Sequence, residues 1–249
     1  MTFPIALQLY TVREAAQKDF ARTAERVAAL GFTGVETAGF PGVTPEAAAR
    51  LFADLGLAVC GVHDRLPLGA ERNRVLETMQ ALQCRRLILA WQAPERFTTR
   101  AGVEAVCAEL NEANAVAQAN GLALGYHNHW FEFENRIDGE SAHALMARLC
   151  APSLFFEIDT YWVRTAGGDP AQVVRDYGPR APLLHIKDGP AVRDAPMTAL
   201  GGGVMDVPAV VQAARGRAEW LIVELDHCAT DMFTAVEESF RYLSTLARQ

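Results

Sequence analysis

The chain alternates between two kinds of segment. Short apolar or β-branched runs begin near Ile5, Gly34, Ala58, Arg86, Ala123, Leu154, Leu183 and Leu221. A polar connection follows each run, and then a stretch whose apolar residues recur at helical period. Successive runs start about 30 residues apart, the length that a strand and its following helix occupy. The stretches "DFARTAERVAALGF", "TPEAAARLFADLGL" and "AGVEAVCAELNEANAVAQANGL" reach a glycine stop at Gly31, Gly56 and Gly121, and each leads straight into the next run. The second opens with Thr44, Pro45 and Glu46, which reads as an N-cap, a first-turn proline and an acid at the positive end of the helix dipole. No linker, repeat or low-complexity segment interrupts the series. The pattern therefore predicts an α/β fold, a (β/α)₈ TIM barrel in which residues 1–249 form a single domain. An open doubly wound sheet would require a glycine-rich phosphate turn after the first run, and none is present.

In such a barrel, chemistry belongs at the carboxyl ends of the strands. The last four runs end "LALGYHNHW", "FFEIDTYW", "LLHIKDG" and "LIVELDHC". Each carries two polar or ionisable residues at i and i+2: His127 and His129, Glu157 and Asp159, His185 and Lys187, Glu224 and Asp226. Side chains alternate along a strand, so both members of a pair face the same side. Burying an unpaired carboxylate costs several kcal/mol, and a cation removes that cost. Imidazole and carboxylate donors suit a divalent metal ion: Mn²⁺, Zn²⁺, Co²⁺ or Mg²⁺. The residues point to His127, Asp159, His185 and Glu224 as ligands, one per strand. The other member of each pair would orient a ligand or meet the substrate.

Composition narrows the partners. Half of the residues are hydrophobic and 21% are charged, as in an ordinary globular protein, and the formal charge is −7. With no basic cluster beyond Arg85–Arg86 and Arg215–Arg217, nucleic acid is not an expected partner. The five cysteines are scattered, without C-x-x-C or zinc-finger spacing, which suits reduced thiols in a cytoplasmic protein. No signal peptide or apolar run of about 18 residues is evident, so no membrane partner is expected. The oligomeric state, a homo-oligomer included, is open.

With these residues in place, the sequence resembles the xylose isomerase-like barrel superfamily, in particular proteins described as sugar phosphate isomerases/epimerases. The likeness runs through "LQLYTVRE", "GVETAGF", "GVHDRLPL", "GYHNHWFEFE", "FEIDTYWV", "LLHIKDG", "GGGVMDV" and "WLIVELDH". Ketose 3-epimerases, inosose dehydratase and endonuclease IV are members of that superfamily. The resemblance implies a metal held by Glu, Asp, His and Glu from the fifth to eighth strands, and it assigns the last three to Asp159, His185 and Glu224. At the fifth strand His127 stands where those relatives have Glu, a departure that Glu132, just beyond "YHNHW", would repair by bending back. Endonuclease IV-like enzymes carry a further His three residues after the sixth-strand Asp. Here that residue is Trp162, which argues against a phosphodiesterase and offers an indole face to a sugar ring.

The resemblance implies a metal-dependent isomerase or epimerase working through an enediolate on a small-molecule sugar, keto-sugar or cyclitol. Glu224 is then the first candidate base, with Lys187, its pKa lowered by a neighbouring cation, and His127 as proton-transfer partners. A lyase or dehydratase follows if the enediolate expels a β-hydroxyl, and a non-catalytic carbohydrate binder is the reading from another class. Glu36, His63, Trp91, His129, Glu157 and Trp162 are the expected substrate contacts, although each could equally serve as a structural hydrogen bonder or packing residue. His143 reads as a helix-surface or packing residue. The glycine-rich stretch "DGPAVRDAPMTALGGGVMDV" would suit a mobile cover. Without a convergent Arg pair or a compact anion cradle, the substrate is expected to be unphosphorylated.

Overall fold

In the computed structural model, which describes residues 2–248, every apolar run forms a strand. They are β1 (Ile5–Gln8), β2 (Gly34–Thr37), β3 (Ala58–His63), β4 (Arg86–Leu89), β5 (Ala123–His127), β6 (Phe155–Asp159), β7 (Leu183–Ile186) and β8 (Trp220–Val223). Each strand pairs in parallel with its neighbours in the chain, and β1 also pairs with β8, so the eight close into a barrel. Parallel strands covered by helices have no watery face, which is why these runs read as apolar throughout.

The helices begin and end where local chemistry dictates. Phe20–Ala29 is capped by Asp19, whose carboxylate accepts the Arg22 N–H at 3.0 Å. Pro45–Asp54 follows Thr44, which caps the Ala47 N–H at 3.3 Å. Arg100–Ala119 follows Thr99, which takes the Gly102 N–H at 3.2 Å. Such caps satisfy donors that the first turn leaves free.

Inside the barrel, Ala6, Cys60, Ile88, Phe155, Leu183 and Ile222 pack as an apolar cluster of their own. Two glycines make room for larger neighbours. A Cβ on Gly125 would stand 2.3 Å from the Phe155 ring, and one on Gly61 would stand 2.4 Å from Glu36 Oε1. The lumen is therefore packed solid below and leaves space for a long acidic side chain above.

Two features depart from the sequence pattern. A short antiparallel hairpin, Arg136–Ile137 against Glu140–Ser141, lies between β5 and β6. The glycine-rich stretch after β7, expected to be a mobile cover, is tied down instead. The buried carboxylate of Asp188 accepts the backbone N–H groups of Gly189 (2.8 Å), Gly201 (2.9 Å), Gly203 (3.2 Å) and Met205 (3.1 Å). Charge-assisted bonds of this kind are stronger than neutral ones. No helix among the described residues is long and apolar enough to cross a membrane.

Candidate metal centre and substrate pocket

The strand register sets the site. His127 on β5 lies beside Glu157 on β6, Asp159 on β6 beside His185 on β7, and Gln8 on β1 beside Glu36 on β2. All of these side chains are buried, with exposures of 3% or less. Two overlapping groups of donors result, His63, His127, Glu157 and His185, and His127, Asp159, His185 and Glu224; within each group the donor atoms lie within 4.8 Å of one another.

In the deeper group, Glu157 Oε2 is 2.6 Å from His63 Nε2, 3.1 Å from His127 Nδ1 and 3.3 Å from His185 Nε2. Glu36 Oε2 joins it, 3.0 Å from His63 Nε2 and 2.7 Å from His185 Nε2, and also accepts from Gln8 Nε2 at 2.7 Å. The second oxygens of both acids, Glu36 Oε1 and Glu157 Oε1, are buried without a hydrogen-bond partner. In the outer group, His185 Nδ1 is 2.6 Å from Glu224 Oε2, while His127 Nε2 is 3.8 Å from Asp159 Oδ2. Here Lys187 stands among the acids, with Nζ at 2.9 Å from Asp159, 2.7 Å from Glu224 and 2.8 Å from Asp226. Mixed imidazole and carboxylate donors, with orphaned buried oxygens beside them, fit a divalent cation.

Charge pairing divides the titratable groups. Burial would lower the Lys187 pKa, but Asp159, Asp226 and Glu224 together outweigh it and hold the ammonium well above the ordinary lysine range. A lowered Lys187 pKa was expected, and the three surrounding carboxylates reverse that expectation. Burial would raise Glu224, yet Lys187 and His185 keep it well below the usual carboxylate range. For Asp159 burial wins over Lys187 and the pKa rises to about 6. His127 falls well below its ordinary value through burial and the nearby His185, so its ring is neutral. Burial also lowers His63, but Glu36 and Glu157 overcome this and lift it to about 10.

Above these groups opens a cavity of about 480 Å³. His63, His127 and Glu224 reach its floor, and Tyr10, Trp91, Trp130 and Trp162 form its walls. Trp91 is 52% exposed at the mouth, whereas Trp162 is only 7% exposed and packs 4.9 Å from Trp130. His129 Nδ1 and Trp162 Nε1 are buried without hydrogen-bond partners. Among the described residues no arginine lines the cavity; Arg193 is paired with Glu134, and Arg13 donates to the Asp226 carbonyl. A roomier hollow of about 630 Å³, bordered by Met79, Arg85 and Gly121, lies at the amino ends of the strands, away from both donor groups.

The structure brings together His127, Asp159, His185, Glu224 and Lys187, with Glu36, His63 and Glu157 immediately beneath. It does not bring Glu132 to them. That carboxylate accepts from Tyr126 Oη at 2.6 Å and from the His129 N–H at 2.8 Å, outside both donor groups, and burial pushes its pKa up to about 8. Glu36 and Glu157 lie below the cavity rather than in its lining. His143 is fully buried, stacked on Phe133 and bonded to Tyr177, so it is a packing residue. Sequence reasoning missed how firmly Asp226 engages Lys187, and it passed over Trp130 and Asp194 in the pocket wall. The i+2 spacing of Asp226 after Glu224 was the available signal for the first.

Comparison with known proteins agrees with the architecture. The model of a family described as xylose isomerase-like TIM barrel matches residues 24–246. Among solved structures, a sugar phosphate isomerase/epimerase from Parabacteroides distasonis superposes with a TM-score of 0.83 at 24% identity, over 96% of both chains. An L-ribulose 3-epimerase gives 0.75 at 17% identity, over 99% of this chain and 95% of that one. A probable 3-DHS dehydratase from Bacillus anthracis gives 0.76 at 12% identity, over 98% and 99%. No curated protein matches the sequence. At such identities the structural likeness establishes the fold.

Proposed function

This chain belongs to the xylose isomerase-like TIM barrel family, and from that premise we propose that it is a metal-dependent isomerase or epimerase that enolises an unphosphorylated sugar, keto-sugar or cyclitol. The observation that carries the reading is the convergence of His127, Asp159, His185 and Glu224, donor atoms within 4.8 Å of one another, with His127 and Glu224 opening onto an aromatic-walled cavity. His127 and His185, common to both donor groups, would hold a divalent cation together with neighbouring carboxylates. When bound, the cation supplies Lewis-acid polarisation of a carbonyl and its adjacent hydroxyl.

The chain's own groups supply the rest. Glu224 faces the cavity and is held ionised by Lys187 and His185, so it can take a proton from the carbon beside the carbonyl. Lys187, kept charged 2.7 Å away, stabilises the negative charge that develops on oxygen. The walls of Trp91, Trp130 and Trp162 suit the apolar face of a sugar ring. The lack of a lining arginine favours a substrate without phosphate.

One observation also favours a lyase. The Lys187 ammonium beside Glu224 is a proton source for a departing β-hydroxyl, which would turn the same enediolate towards dehydration. Incubation with ketoses, keto-glycosides and inososes in D₂O, followed by proton NMR, tests both readings. Deuterium at an α-carbon with the hydroxyls intact marks isomerisation or epimerisation, and loss of a hydroxyl marks dehydration. Glu224→Gln is expected to slow exchange by about 10²-fold or more. No exchange with any of the panel, or undiminished exchange in Glu224→Gln, would overturn the proposal.

A further inference from the structure

The two donor groups share His127 and His185 but differ in what else stands between them. In the outer group the place of a cation is taken by the Lys187 ammonium, 1% exposed and within 2.9 Å of Asp159, Glu224 and Asp226. A second cation there would have to break three ion pairs and leave a buried ammonium stranded. The deeper group contains no lysine or arginine, and its acids face imidazole rings, which can give up a proton to become metal ligands. Glu36 and Glu157 contact only imidazoles and the Gln8 amide, and each keeps one oxygen unpartnered.

We propose that a divalent cation in this chain sits in the deeper group, held by His63, His127, His185 and Glu157 with Glu36 alongside, while Lys187 remains the counter-ion of the outer acids. Ligand atoms about 2.0–2.2 Å from one tetrahedral ion lie roughly 3.3–3.6 Å apart. The Glu157 contacts of 2.6 to 3.3 Å to three ring nitrogens are at that spacing or tighter, so a small outward shift admits an ion. The missing side chain at Gly61 makes the space that Glu36 needs to reach this point. Access is from above, because His63 and His127 both form part of the cavity floor. Glu224 and Lys187 are then left free as an acid–base pair rather than being consumed as ligands.

The inference rests on the proposed function only in requiring that the cluster binds a cation at all. It is tested by chelator-stripped protein titrated with Co²⁺, the folded state of every variant being checked by circular dichroism. Glu157→Gln and His63→Gln are expected to weaken binding by about 10²-fold or more, and Asp159→Asn by less than about threefold. In wild-type protein, two-dimensional NMR of the histidine ring nitrogens should show His63 shifting on Zn²⁺ addition together with His127 and His185. That readout decides the matter even if a variant fails to fold. Unchanged His63 signals, or binding that depends on Asp159 and not on Glu157, would overturn the deeper position while leaving a metal enzyme. An absence of any cation binding by wild type would sink the metal reading itself.

Discussion

The lower and upper halves of the barrel's interior are built from the same strands and behave as opposites. Ala6, Phe155, Leu183 and Ile222 belong to the apolar lower cluster. Two residues further along the same strands come Gln8, Glu157, His185 and Glu224, all buried and polar. The lower half gains stability by removing apolar surface from water, about 25 cal/mol for each Å². The upper half forfeits hydration and survives only because each charge faces an opposite one. The two are linked: a dry floor lowers the effective dielectric above it and so strengthens every pairing there. Stability and chemistry are thus separated by a single repeat of the pleat.

Removing one charge from the upper half should break that balance most severely. Lys187→Met leaves Asp159, Glu224 and Asp226 facing one another, and is expected to cost about 3–5 kcal/mol in urea unfolding at pH 7 together with the loss of exchange activity. Asp159 and Glu224 then lose the cation that favours their charged forms, and their folded pKa values rise. These two acids contribute most below the unfolded carboxylate range and lose that contribution as pH rises, so the deficit relative to wild type should narrow on acidification. A deficit that stayed constant with pH would mean that packing, not charge, is what the lysine supplies.

The lower half offers the matching test. Phe155→Ala removes a ring that is 7% exposed and is expected to cost about 3–5 kcal/mol of stability, with exchange per folded molecule little changed. Equal damage to stability and turnover would show that the halves are not separable.

A smaller effect should come from Glu132, an acid paired by hydrogen bonds and not by a cation. Its folded pKa of about 8 lies above the unfolded carboxylate value, so the stability it lends is complete below about pH 4.5 and is lost as pH climbs through 8. Glu132→Gln should therefore flatten the decline in melting temperature over that interval. An unaltered pH profile would mean that the Tyr126 and His129 hydrogen bonds already satisfy the charged form.

Much of this was legible in the sequence, for reasons specific to each element. Apolar runs flanked by glycine stops located the strands to within a residue: β6 starts at Phe155 where Leu154 was expected, and β8 at Trp220 where Leu221 was expected. The i, i+2 pairs named His127, Asp159, His185 and Glu224 because alternation is a local rule of a strand. What alternation cannot give is which of two convergent groups a side chain chooses. Lys187 meets Asp159 and Asp226 across strands whose separation is set by barrel closure, a long-range fact. Glu132 turns to Tyr126, six residues back, because a short helix at Phe131–Glu134 aims it there. The anchoring of the segment after β7 was hidden for the same reason, since one aspartate gathers amides up to seventeen residues away.

That aspartate works as a latch. Asp188 follows Lys187 directly in the chain, and its four amide contacts fasten the segment that runs on to Met205 to the end of β7. With the segment beyond β7 held in this way, the cavity meets solvent at the exposed rims of Trp91 and Tyr10.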